Sequence, residues 1–170
     1  MSQRYRPFWD LTRAGLRFAA QKLGLPLDKA AEERLMNEYR HLSAYPENRD
    51  VLQALAERGI RAGILSNGDP EMLAVAIKSA GLQDLINPVL SAHTVQRFKT
   101  DAAVYQLGPD ALELPAKKIL FVSSNGWDAI GATWFGYTTL WVNRAGATLD
   151  RKSTRLNSSH LEQSRMPSSA

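Results

Sequence analysis

The 170-residue sequence contains no cysteine. That excludes disulfides, thiolate zinc sites and a cysteine nucleophile. No apolar run approaches the roughly 20 residues that cross a bilayer. The opening MSQRYRPFWD also lacks the apolar stretch of a secretory signal. Histidine is scarce, with three in all, and His41 and His93 have no ligand-like partners in spacing, so no metal site is expected. No charge sign dominates: 21 basic residues face 17 acidic ones, and 1–149 alone holds 17 and 15. These cations form no stripe, and phosphate capture needs clustered ones, so no nucleic-acid partner is expected. What the chain does have is a 44% hydrophobic content, enough to fill the core of about one domain. The composition implies a soluble, cytoplasmic α/β protein with no membrane partner.

The last stretch differs from the rest. Residues 150–170, DRKSTRLNSSHLEQSRMPSSA, hold two leucines, no aromatic residue and six serines. Such a segment buries too little apolar area to offset its ordering entropy and is expected to be disordered. It resembles a translated sequencing adapter, which makes it a non-native tail and leaves the sequon at Asn157 without meaning.

Periodicity orders the remainder. Trp9, Leu16, Ala20 and Leu23 recur at helical spacing up to Gly24 and Pro26. Asp28 is placed to cap a second helix with an apolar stripe of Ala31, Leu35, Tyr39 and Leu42. A turn at 45–48 precedes a helix over 50–58, closed by Gly59 in the left-handed conformation. Then the rhythm changes. Ile60–Leu65 reads as a buried strand, and Asp69-Pro70 as the cap and first turn of a helix running to Gly81. Val89-Leu90 is a second strand. Asp101 caps a helix through Val104, Leu107 and Leu112, which Gly108-Pro109 should kink or interrupt. Ile119–Val122, a helix over Trp127–Phe135 and Thr138–Val142 complete an alternation that predicts a parallel sheet covered by helices. Trp134 and Trp141 read as core or sheet packing.

Ligands in such sheets bind beyond the carboxyl ends of the strands. Ser66-Asn67-Gly68 follows the first strand, Phe98-Lys99-Thr100 follows the second, and Ser123-Ser124-Asn125-Gly126-Trp127-Asp128 follows the third. Each has a plain alternative. Ser-Asn-Gly is common turn chemistry, a lone lysine is usually solvated, Asp128 suits a helix N-terminus, and Tyr105 sits near a core stripe. Together, Lys99 lies 33 residues after Ser66 and Ser123 a further 24 on, each beyond a predicted strand.

With these motifs the sequence resembles the haloacid dehalogenase superfamily, and within it the type II (S)-2-haloacid dehalogenases. YRPFWD, ILSNG, FKTDAAVYQL and ILFVSSNGWDAIGATWFGYTTLWVNRAG carry the resemblance across residues 5–146. It implies a Rossmann-like core over 46–149 with the remnant of a helical cap over 1–45. The superfamily's phosphatases usually carry Gly-Asp-Asp or Gly-Asp-x-x-x-Asp in the last block, carboxylates for Mg²⁺. Here Ser124 stands at the first such position, too poor in acids for a hard cation, so neither metal nor cofactor is implied.

The resemblance also implies a mechanism. A carboxylate displaces halide from the substrate carbon, and water then hydrolyses the aspartyl ester. Lys99 would neutralise the nucleophilic carboxylate, supported by Tyr105. Asp128 would orient or activate the water, with Ser123 and Asn125 holding the network. Ser66 and Asn67 would bind the substrate carboxylate and nearby halide, while Phe8 and Trp127 wall an apolar pocket. The partners are thus a short 2-haloacid and halide, with a homodimer implied for the full-length protein. Two departures stand out: Thr100 follows the lysine where the family commonly has Pro, and the chain holds no Asp-x-x-Gly-Thr nucleophile motif. Asp10, beside Trp9 with no strand before it, does not replace that motif. The expectation is a fragment without the first strand, its nucleophile or the cap arginine associated with halide binding. The alternatives are a phosphatase of the same superfamily and a non-catalytic module that binds small carboxylates or a partner protein.

Overall fold

A computed structural model describes residues 4–146 and the backbone of 161–164. The chain forms two compact units, divided between Phe98 and Lys99.

The first unit begins with α1 (Phe8–Lys22), followed by α2 (Lys29–Asn37) and a single 3₁₀ turn, Glu38–Arg40. Asp28 caps α2 as its side chain predicts, accepting from the Ala31 amide at 2.7 Å. The buried face of α2 is not the predicted stripe: Glu32 and Met36 turn inward, while Leu35, Tyr39 and Leu42 are 50%, 40% and 47% exposed. Electrostatics explains the rotation. Arg13 and Arg17 on α1 both bind the Glu32 carboxylate, at 2.7 and 2.5 Å, so a buried charge arrives paired.

After α3 (Asn48–Glu57), Gly59 adopts the left-handed conformation, with φ 70°. Strand β1 (Ile64–Ser66) starts four residues later than predicted. Opposite its entry lies Pro88, which has no N–H to donate to a ladder. The chain there makes isolated bonds instead, Asn87 N–H to Ala62 O and Ile64 N–H to Pro88 O. Helix α4 (Pro70–Ser79) buries Leu73 and Ile77, and β2 (Val89–Ser91) pairs parallel with β1, Ser66 opposite Ser91. A short 3₁₀ segment, Ala92–Val95, follows β2.

The second unit opens with α5 (Ala102–Leu112), whose N-cap Asp101 accepts from Ala103 N–H at 2.9 Å. The predicted interruption at Gly108-Pro109 does not occur, and the helix runs through Pro109. Proline deprives the carbonyl four residues earlier of its partner, here that of Tyr105. The Tyr137 hydroxyl donates to that carbonyl instead, at 2.6 Å. Strand β3 (Leu120–Ser123), helix α6 (Gly126–Phe135) and strand β4 (Thr138–Val142) follow, with β3 and β4 parallel and Ser123 opposite Trp141. Ala129, Gly131 and Ala132 bury the inner face of α6. Tyr105, Phe121, Phe135 and Tyr137 form one aromatic cluster, with ring centroids 5.1–6.2 Å apart in each contacting pair. Trp141 is core, at 2% exposure, but Trp134, on the outer side of α6, is 56% exposed.

The described strands are parallel, as predicted: β1–β2 in the first unit, and β3–β4 joined by β5 (Leu161–Ser164) in the second. Within the second, β3 alternates, with Phe121 and Ser123 buried and Leu120 and Val122 more than half exposed. Of the tail predicted for 150–170, only Leu161–Ser164 lie among the described residues. Leu161–Ser164 form β5, parallel to β4 with Trp141 opposite Gln163, because the far edge of β4 offers backbone groups that any extended segment can pair. Residues 147–160 and 165–170 lie outside the described part.

Candidate active site

The second unit carries a buried charge centre. Lys99, immediately before α5, forms an ion pair with Asp128 on the first turn of α6, Nζ to Oδ2 at 2.9 Å; the two side chains are 9% and 6% exposed. Ser123, at the C-terminal end of β3, donates to the same Oδ2 at 2.9 Å. Tyr105, one turn into α5, donates to Oδ1 at 2.8 Å. The peptide between Lys99 and Thr100 is cis.

Each position follows from local structure. Strand β3 ends at Ser123, and its Oγ accepts the Asn125 amide at 3.2 Å, which turns the chain into α6. The indole of Trp141 on neighbouring β4 donates to Ser124 O at 3.1 Å and pins the loop from the sheet side. Tyr105 reaches Asp128 because Gly131 leaves room for its side chain: a Cβ there would come within 2.7 Å of the tyrosine hydroxyl.

The pair is poised by two opposing influences. Burial lowers the Lys99 pKa from its ordinary value, while the Asp128 charge and hydrogen bond work against that shift. The Tyr105 hydroxyl is pushed far above the usual phenol range by burial and by the carboxylate beside it. It therefore remains a donor. Lys99 Nζ also lies 4.8 Å from the centre of the Phe121 ring, a cation–π contact in a dry setting.

Of the predicted site residues, Lys99, Tyr105, Ser123 and Asp128 are thus brought into direct contact, and Asn125 joins through its backbone amide. Trp127 lies on the same first turn of α6, with 52% of its surface open.

The remaining predicted residues sit in the first unit. Ser66 ends β1, and its Oγ accepts from Gly68 N–H at 3.1 Å, tightening the Ser66-Asn67-Gly68 turn. Phe8 begins α1, with its ring 6.1 Å from that of Phe98 and Phe98 stacked on Tyr5.

Sequence reasoning missed the residues that hold this half. Asp69 makes no cap bond to α4. Its carboxylate instead accepts the amides of Phe8 and Trp9, at 3.0 and 2.9 Å, fastening the start of α1 to the turn after β1. Buried Ser91 donates to Gly68 O at 2.7 Å from the neighbouring strand. Asp69 carried no distinguishing signal, since an Asp before Pro reads as a cap in either role. Ser91 was legible only as the end of a strand.

Parallel strands whose carboxyl ends carry small polar turns, one of them beside a buried lysine–carboxylate pair, define a Rossmann-like α/β protein. Comparison with known proteins narrows the class. The haloacid dehalogenase-like hydrolase family matches residues 3–136, and the chain belongs to it. It is 42% identical over 146 residues to an (S)-2-haloacid dehalogenase of Pseudomonas sp. (strain YL), an alignment covering 86% of this chain and 63% of that protein. Among solved structures it is similar to the L-2-haloacid dehalogenase RSc1362, with 54% identity, TM-score 0.85, and coverage of 88% of this chain and 66% of that one. It is also similar to the L-2-haloacid dehalogenase of Xanthobacter autotrophicus with chloropropionic acid covalently bound, with 35% identity, TM-score 0.77 and coverage of 88% and 59%. The chain therefore spans less than two thirds of the length of these relatives.

Proposed function

We propose that these residues are the later part of an (S)-2-haloacid dehalogenase, which hydrolyses short 2-haloacids to 2-hydroxy acids. The observation that carries the reading is the Asp128 carboxylate engaged by Lys99, Tyr105 and Ser123. A carboxylate so occupied is a poor ligand for a cation. This supports halide displacement over Mg²⁺-dependent phosphate chemistry. The bound chloropropionic acid of the Xanthobacter autotrophicus structure supports a covalent intermediate.

In the proposed sequence, an oxygen of an aspartate carboxylate attacks the halogen-bearing carbon, and the halide leaves with the electrons of the broken bond. Water then adds to the ester carbonyl and the acyl–oxygen bond breaks; one water proton ends on the departing alkoxide, giving the hydroxy acid, and the other is released to solvent as the carboxylate is restored. Lys99 supplies positive charge where negative charge collects, and exclusion of water strengthens it. Asp128 orients the water. The resemblance further assigns Ser66 and Asn67 to the substrate carboxylate and gives Phe8 and Trp127 apolar roles. The Asp-x-x-Gly-Thr nucleophile motif is not among the 170 residues. We further assign 1–45 to the cap, a cytoplasmic location, and a homodimer for the longer protein, which light scattering would test.

The test is halide release from (S)-2-chloropropionate, with and without EDTA. A protein carrying an Asp-x-x-Gly-Thr strand before these residues releases halide in both conditions. The 170-residue polypeptide releases none above its Lys99→Ala variant. Strict Mg²⁺ dependence with turnover of phosphate esters would make it a phosphatase. Binding of 2-chloropropionate without turnover by the longer protein would make it a binding module.

A further inference from the structure

The position of the Tyr105 hydroxyl depends on a bond that the helix itself does not supply. In a regular helix the Tyr105 carbonyl would accept the amide of residue 109, but residue 109 is proline. The Tyr137 hydroxyl takes that role at 2.6 Å. Gly108 leaves the space, since a Cβ at that position would run into the Tyr137 hydroxyl oxygen. Tyr137 is in turn aimed by the end of α6. Gly136 turns left-handed, with φ 117°, its amide bonds Thr133 O at 3.1 Å, and the Tyr137 amide bonds Ala132 O at 3.1 Å. That is a Schellman turn, which fixes the exit direction of the chain.

The result is a closed circuit between two helices. Near one end of α6, Asp128 receives the Tyr105 hydroxyl. Just beyond the other end, Tyr137 grips the Tyr105 backbone. All three residues are almost wholly buried, at 1%, 2% and 4% exposure for Tyr105, Tyr137 and Asp128. Water cannot stand in for a lost bond there. Burial also pushes the Tyr137 hydroxyl up to about 12, so it stays protonated and donating.

We infer that Tyr137 is a positioning residue for the reaction centre: its hydroxyl holds α5 where the Tyr105 hydroxyl meets Asp128, and Pro109 makes that hydroxyl indispensable. The inference rests on the reading of Lys99, Tyr105 and Asp128 as the catalytic group, but its test needs no substrate. In the 170-residue chain, NMR with labelled tyrosine follows the Tyr105 hydroxyl proton, which burial and its bond to Asp128 should make slow to exchange, assigned by its disappearance in Tyr105→Phe. In Tyr137→Phe this resonance is expected to be lost. In the double variant Pro109→Ala/Tyr137→Phe it returns, because alanine in place of the proline restores the amide that the Tyr105 carbonyl lacks. An unchanged resonance in Tyr137→Phe, or its absence from the double variant, overturns the inference. Should Tyr137→Phe alone fail to fold, recovery of both fold and resonance in the double variant supports it, and an unfolded double variant overturns it. Failure of the dehalogenase reading would appear in halide release and leave these spectra untouched.

Discussion

Asp128 receives three donors, and they are not equal. Tyr105 and Ser123 are neutral, and losing either removes one hydrogen bond. Of the three, Lys99 alone balances the charge. Replacing it with Ala leaves a carboxylate buried and uncompensated, which costs about 3–5 kcal/mol. Urea unfolding of the 170-residue chain should show that loss in Lys99→Ala, and a much smaller one in Ser123→Ala. In a protein that carries the nucleophile, Lys99→Ala should also slow turnover by about 10²–10³, the usual scale for an electrostatic group acting on the reacting atoms. An unaltered urea midpoint would mean that the ammonium does not balance the Asp128 charge. The lysine itself was readable from its place after a strand. Its role as the counter-ion of Asp128 was not, since 29 residues separate them and only the fold makes them neighbours.

At the scale of elements, the pairing of α1 with α2 rests on charge as much as on apolar contact. Two arginines hold the Glu32 carboxyl down to about 2, mainly through their hydrogen bonds to it. Glu33 adds a further bond to Arg13 at 2.6 Å. A carboxyl with a lowered folded pKa binds fewer protons in the folded state than in the unfolded chain. Its contribution is therefore complete above its ordinary value of 4.5 and lost as pH falls toward 2. Urea midpoints measured from pH 6 to pH 2 should decline across that window. In Glu32→Gln the midpoint should start lower and decline less steeply. Equal slopes would mean that the arginines do not hold the carboxylate in solution. Asp28 and Asp101 were legible as caps because capping is local: side chain and target amide lie two or three residues apart. The buried face of α2 was misjudged, because it depends on two arginines from another helix.

At the scale of the whole molecule, the two ladders matter most. Strand β3 pairs with β4, yet Leu120 and Val122 remain 59% and 55% exposed. Parallel strands are normally covered on both faces, and an exposed apolar strand invites pairing with another chain. The 170-residue polypeptide should therefore self-associate as its concentration rises, seen as growing scattering mass. Leu120→Lys combined with Val122→Thr should reduce that growth. Scattering that stays concentration-independent in the unmodified chain would remove the argument.

By itself the sequence determined the order of the helices and of β1 to β4, the caps of α2 and α5, the polar turns after the strands and the family they belong to. These depend on spacing within a short window, where periodicity and side-chain chemistry act directly. Tertiary structure decided three other matters: that Glu32 turns inward, that Asp69 serves α1 and not its own helix, and that α5 survives Pro109 because a tyrosine from beyond α6 replaces the lost bond. In each case the deciding partner is distant in the chain, and a buried polar group accepts whichever neighbour the packing brings within hydrogen-bonding reach.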